Sequence, residues 1–142
     1  MTKVLATGVF NILHPGHLLF LQEAKKLGDE LVVIVASDKI AHKTKKGFIL
    51  PQEQRAEVIG ALKMVDKVFI GDEKDTLALL SVIKPDVIAL GHDQRVDKER
   101  LQSELVARGL SAKVVWIRRK EEGEFMSTSS IIKKVGEFFS KH

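Results

Sequence analysis

Apolar positions along this chain fall into two periods. Short continuous apolar runs recur at Lys3–Thr7 (KVLAT), Leu31–Ala36 (LVVIVA), Lys67–Ile70, Asp86–Leu90 (DVIAL) and Lys113–Ile117. Runs of this length, bounded by polar residues, predict strands buried on both faces, as in a parallel sheet. Between them the period lengthens. Leu18, Leu21, Ala24 and Leu27 predict a helix over Gly16–Leu27, with Gly28 as its C-cap glycine. Ser37–Leu50 reads as a long polar loop carrying a basic cluster, Lys43-Thr44-Lys45-Lys46. Pro51 opens a helix to about Met64 at its first position. Further helices are expected over Asp75–Ile83, stopped before Lys84-Pro85, and over Asp97–Arg108, closed by Gly109. A last helix begins near Ser127 and carries Ile131, Ile132, Val135, Phe138 and Phe139 on one stripe.

Strands and helices therefore alternate five times. That order predicts an α/β fold of one domain spanning 1–142, a doubly wound parallel sheet of Rossmann-like type with right-handed crossovers. Ligands of such folds sit beyond the carboxyl ends of the strands. Unusual sequence collects there: Gly8–His17 after the first strand, Ser37–Leu50 after the second, Gly91-His92-Asp93-Gln94 after the fourth, and the 118–130 stretch after the fifth.

Composition narrows the chemistry. The 142 residues suffice for one core, and 44% hydrophobic with 30% charged residues fits a soluble domain. No apolar run reaches membrane-spanning length, and the N-terminus shows no targeting pattern, so a cytoplasmic protein with no membrane partner is expected. Without cysteine there are no disulfides, thiolate metal sites or cysteine nucleophiles. The net charge of +4 suits anionic ligands. The charges mix in sign and stacking aromatics are few, which argues against nucleic acid.

The most informative stretch is FNILHPGHLLF, Phe10–Phe20. Pro15 and Gly16 lead into a first helical turn whose free N–H groups and dipole favour an anion. His14 and His17 are three apart and share one side of that turn, where both can donate to phosphate oxygens. Gly8 lets a ligand approach the backbone. Two other readings stand beside this one: plain capping histidines, and a zinc site drawing His42 and His92 from other loops.

These residues carry a resemblance. H-x-G-H after a G-x-F-(D/N) strand end, with Met126-Ser127-Thr128-Ser129-Ser130-Ile131 far downstream, resembles the nucleotidyltransferase superfamily of cytidylyltransferases and pantetheine-phosphate adenylyltransferases. GHDQ, EEGEFMSTSSIIKKV and FNILHPGHLLFLQEAKKLGDELVVIVA look more specifically like the archaeal FAD synthases. The resemblance implies an enzyme that transfers AMP from ATP to FMN, giving FAD and pyrophosphate by direct in-line attack. FMN is then a substrate rather than a cofactor, and Mg²⁺ accompanies ATP. Alternatives are another phosphate-monoester acceptor (glycerol 3-phosphate with CTP, phosphopantetheine, a sugar phosphate) and a non-catalytic nucleotide-binding module.

By the same resemblance His14 and His17 are catalytic. The nucleotide is held by Val9, Phe10, Pro15, Gly16, Asp93, Ser127, Thr128 and Ser129 as well as the histidines. Lys46 and Arg55 hold acceptor or phosphate. No protein ligand to the metal is implied. Each has an ordinary structural reading too: an N-cap for the hydroxyls, a turn residue for Asp93, a solvated lysine, and pairing with Glu53 for Arg55. Asn11 departs from the family's usual Asp. Relatives are commonly dimers, so a homodimer is also expected, with Trp116 or the Phe138/Phe139 pair as interface candidates and core packing the default for the phenylalanines.

Overall fold

The computed structural model describes residues 1–43, 47–75, 77–91, 94, 96–117 and 128–141, with only the backbone at 128 and 141. Eleven elements follow in order: β1 (Lys3–Gly8), α1 (Pro15–Lys25), β2 (Glu30–Val35), α2 (Asp38–His42), α3 (Gln52–Gly60), β3 (Lys67–Ile70), α4 (Leu80–Ile83), β4 (Val87–Gly91), α5 (Lys98–Ala107), β5 (Lys113–Ile117) and α6 (Thr128–Lys141). The five strands form one parallel sheet in the order β3-β2-β1-β4-β5. The expected α/β fold is therefore the observed one.

Both faces of the sheet are covered, which is why its strands read as unbroken apolar runs. Val4, Ala6, Leu31, Val33 and Val35 face one layer with Leu21 and Ala24 of α1 and Ile59 of α3. Leu5, Val32, Ile34, Ile88 and Leu90 face the other, with Leu80 and Ile83 of α4 and Leu105 of α5. The chain leaves β1 toward β2 and β3, then returns to lay β4 on the other side of β1. The switch point thus lies between β1 and β4, at the head of α1.

Several expected boundaries move, each for a local reason. The polar loop after β2 contains a short helix, α2, because Ser37 Oγ accepts from the Ile40 N–H at 3.2 Å and caps it. Pro51 is the N-cap of α3 rather than its first residue, and α3 stops at Gly60. The helix expected from Asp75 shrinks to Leu80–Ile83. Asp72 Oδ1 accepts from the N–H groups of Lys74 and Asp75, and Asp75 Oδ1 from that of Leu77, so side chains hold this stretch in turns. Gly109, at φ +72°, closes α5 as expected.

Gly28 is a glycine for a different reason from the one the pattern suggested. It does not adopt a left-handed conformation. A Cβ there would stand 2.7 Å from the Thr2 carbonyl oxygen and 2.8 Å from Val4 Cγ2, so the close approach of β1 excludes any side chain. The α6 stripe also departs from expectation. Ile132, Val135, Phe138 and Phe139 are exposed rather than in the core, and the two phenylalanine rings meet edge-on at 5.9 Å. Trp116 is half-buried against the second layer. Among the described residues no helix is long and apolar enough to cross a membrane.

Candidate active site

β1 ends at Gly8, and the chain must then turn into α1 within six residues. Phe10 makes the turn in the left-handed region, at φ 54°, which is costly for a side chain of this size. Its ring folds back over Gly8. A Cβ on Gly8 would lie 2.9 Å from two ring carbons, so the glycine makes room for Phe10. The ring also meets that of His17 edge-on, at a centroid distance of 5.4 Å.

His14 is the N-cap of α1, in extended conformation, with Pro15 in the first turn where its missing N–H costs nothing. The cap is a reciprocal box built from imidazoles. His14 Nδ1 accepts from the Gly16 N–H at 3.1 Å, and His17 Nδ1 from the His14 N–H at 3.4 Å. The two rings stack with centroids 3.8 Å apart. A backbone N–H can only donate, so each Nδ1 is an acceptor and each neutral ring carries its proton on Nε2. The head of α1 therefore holds two imidazole donors in a fixed tautomer, together with the positive end of the helix dipole. The capping and the phosphate-donor readings are thus compatible: the caps use Nδ1, and the proton of each neutral ring is on Nε2. The Gly16 N–H, expected to support phosphate, is already engaged by His14.

Around this turn, side chains brace the carboxyl ends of the strands. Gln94 spans the switch point. Its Oε1 accepts from the Gly91 N–H at 2.6 Å, while Nε2 donates to the Thr7 carbonyl at 3.2 Å and to Thr7 Oγ1 at 3.3 Å. Asn11 reaches the segment after the basic cluster, donating to the Gly47 carbonyl and accepting from the Ile49 N–H.

Arg55 is reassigned by its surroundings. Expected to meet a phosphate or Glu53, it is 1% exposed. Nε donates to the Leu50 carbonyl at 2.7 Å, Nη1 to those of Val9 and Ala36 at 2.9 Å each, and Nη2 to Asp38 Oδ1 at 2.7 Å. With four of its N–H groups on protein oxygens, it ties the ends of β1 and β2 to α2. Val9 contributes its carbonyl to this tie.

Of the other expected site residues, Thr128 and Ser129 begin α6, with Ser129 exposed. Among the described residues no hydrogen bond joins Ser129 to the histidine pair. Asp93, Ser127 and Lys46 lie outside the described residues, as does His92 of the zinc reading. Among the described residues no three His, Asp or Glu side chains converge to hold a metal. Sequence reasoning missed Gln94 and the buried role of Arg55. GHDQ flagged the first by its place after a strand, whereas nothing local marks an arginine whose partners come from four segments.

Comparison with known proteins decides the family. A cytidylyltransferase-like family model matches residues 5–134. The chain belongs to the cytidylyltransferase-like family. Within it, proteins named FAD synthase are similar over nearly the whole length. That of Archaeoglobus profundus is 54% identical, covering 95% of this chain and 86% of the relative. That of Ferroglobus placidus is 55% identical, covering 95% and 88%. That of Methanosarcina mazei is 55% identical, covering 95% and 89%. Among solved structures, a Thermoplasma volcanium protein described as a lipopolysaccharide core biosynthesis protein superposes with a TM-score of 0.83 at 45% identity, covering 85% of this family member and 99% of that chain.

Proposed function

We propose that this protein is an FMN adenylyltransferase, making FAD and pyrophosphate from ATP and FMN. A phosphate oxygen of FMN attacks the α-phosphorus of ATP. The new P–O bond completes the diphosphate bridge of FAD, and the bond between the α-phosphorus and the bridging oxygen breaks, its electron pair leaving on pyrophosphate. At neutral pH a phosphate monoester carries about −1.5 to −2 charges, so the nucleophile needs no general base. The protein's task is alignment and charge stabilisation.

The observation that carries this reading is the stacked His14–His17 pair with both Nδ1 atoms on backbone N–H groups. It fixes two Nε2–H donors at a helix N-terminus beside the switch point, suited to charge that builds on the transferring and leaving phosphates. The length and identity of the match to proteins named FAD synthase support the acceptor. Thr128, Ser129, Ser127, Asp93 and Lys46 complete the nucleotide and phosphate contacts in this reading, and Arg55 serves as a strut between the ends of β1 and β2. With both Nδ1 atoms taken by backbone N–H groups, the neutral rings present Nε2–H, a donor for phosphate rather than a lone pair for a cation. That donor set fits Mg²⁺ carried on the triphosphate oxygens, where it would neutralise leaving-group charge.

Product analysis tests the reading. The protein is incubated with Mg²⁺, ATP and FMN, beside CTP with glycerol 3-phosphate and ATP with phosphopantetheine. FAD with equimolar pyrophosphate is expected in the first mixture alone. Product in another mixture moves the acceptor, and ATP binding without product in any overturns the assignment.

A further inference from the structure

Asn11 is buried, and its two side-chain bonds both go to one distant segment. Nδ2 donates to the Gly47 carbonyl at 3.1 Å, and Oδ1 accepts from the Ile49 N–H at 2.6 Å. A carbonyl can only accept and an N–H can only donate, so the orientation of the carboxamide is fixed by its partners. A carboxylate of the same shape could make only the second bond and would set an oxygen against the Gly47 oxygen. The tie therefore needs an amide, not a charge.

The tied segment forms a wall. Ile49 and Leu50, with Phe10, Ile12, Leu13 and Val58, line a cavity of about 250 Å³ beside the turn that leads into His14. The remaining polar liners include Asn11 itself and Arg55, both bonded to protein. The cavity offers apolar contact and little hydrogen bonding, which suits a ring rather than a phosphate. Its lining comes from the β1–α1 turn, residues 49–50 and α3, and includes neither Gly91 nor Gln94. Phe10, which lines the cavity, also meets the His17 ring at a centroid distance of 5.4 Å, so the cavity and the histidine pair share a neighbour.

We infer that Asn11 is a positioning residue whose carboxamide, bonded at Gly47 and Ile49, holds Ile49 and Leu50 as one wall of a subsite for the aromatic ring of the acceptor. The inference rests on FMN being that acceptor. Asn11→Ala and Asn11→Asp test it by initial-rate kinetics of FAD formation. Losing both bonds in Asn11→Ala should raise KM for FMN about ten-fold and leave kcat and KM for ATP within about two-fold. Asn11→Asp should match it at mildly alkaline pH and recover toward wild type as pH falls, because a protonated carboxyl can again donate to Gly47. Asn11→Ala should show no such recovery relative to wild type. An unchanged KM for FMN, or a fall in kcat alone, overturns the inference.

Riboflavin, which has the ring without the phosphate, separates the subsite from the reaction. In a flavin-fluorescence titration it should bind wild type about ten-fold more tightly than Asn11→Ala. If wild type makes FAD but both proteins bind riboflavin equally, the subsite falls and the function stands. If wild type makes no FAD yet riboflavin binding depends on Asn11, the function falls and the subsite stands.

Discussion

The two edges of the sheet are finished with opposite chemistry. Parallel strands leave N–H groups unpaired at their amino ends and carbonyls unpaired at their carboxyl ends. At the amino edge the closing groups are carboxylates. Asp29, just before β2, accepts from the Thr2 N–H. Asp66, just before β3, accepts from that of Leu31, and Asp86, just before β4, from that of Lys3. Each aspartate precedes one strand and clasps the neighbouring strand nearer the centre of the sheet. At the carboxyl edge the closing groups are mainly donors: Arg55 to the Val9 and Ala36 carbonyls, and Gln94 to that of Thr7. The donors at the carboxyl edge are spent on its carbonyls, so an anionic substrate there depends on the head of α1, with its histidine pair and the positive end of the helix dipole.

The strongest way to break this contrast is to remove the central donor. Arg55→Met keeps the bulk of the side chain while leaving the Val9, Ala36 and Leu50 carbonyls and the Asp38 carboxylate without it. Breaking a buried pair in this way costs about 3–5 kcal/mol. Urea unfolding should register a loss of that order, with activity falling as the folded fraction falls. Wild-type stability would show that water satisfies the carbonyls and that the strut is dispensable.

His17→Ala asks instead what the donor edge does chemically. Removing one donor to a developing oxyanion costs about 10²–10³-fold in kcat. The fold should lose only the cap, about 1 kcal/mol. A turnover within a few-fold of wild type would remove His17 from the reaction, whatever the protein's stability.

These two residues also show what a sequence can and cannot carry. HPGH was legible because its meaning is local: a proline, a glycine and two rings at helical spacing fix a helix start. The strands were legible because burial on both faces leaves an unbroken apolar run. Arg55 was not, since it lies in an otherwise polar helix where a charge normally faces water. Its burial arises only when Leu50, Val9, Ala36 and Asp38 meet in space. Asn11 is similar, with its partners at Gly47 and Ile49. The helix expected from Asp75 failed because aspartate side chains outcompeted the helical bonds they neighbour. The amino-edge clasp was written three times, as GDE, VDK and PDV, and passes for ordinary turn chemistry until the register shows what each carboxylate holds.

The acidic edge can be tested through its own titration. Asp66 is held below the usual carboxylate range, first by its bond from the Lys25 ammonium and next by the Leu31 N–H, with burial opposing both. A carboxyl whose folded value is depressed adds stability above its unfolded value and loses it as pH falls through the folded one. Asp66→Asn keeps an oxygen for Leu31 but gives up the charge that pairs with Lys25. The carboxylate is 40% exposed, so the difference at neutral pH should stay below about 1 kcal/mol. It should shrink toward zero as the carboxyl protonates in wild type. Asp72 and Asp75 are lowered too, by backbone N–H groups and by Arg108 respectively, but they titrate in both proteins and cancel in the difference. Urea unfolding of the pair across the acid range reads that difference directly. A gap that persists unchanged at low pH would mean that Asp66 acts through packing, and that the charge at the amino edge contributes nothing to holding β2 and β3 in register.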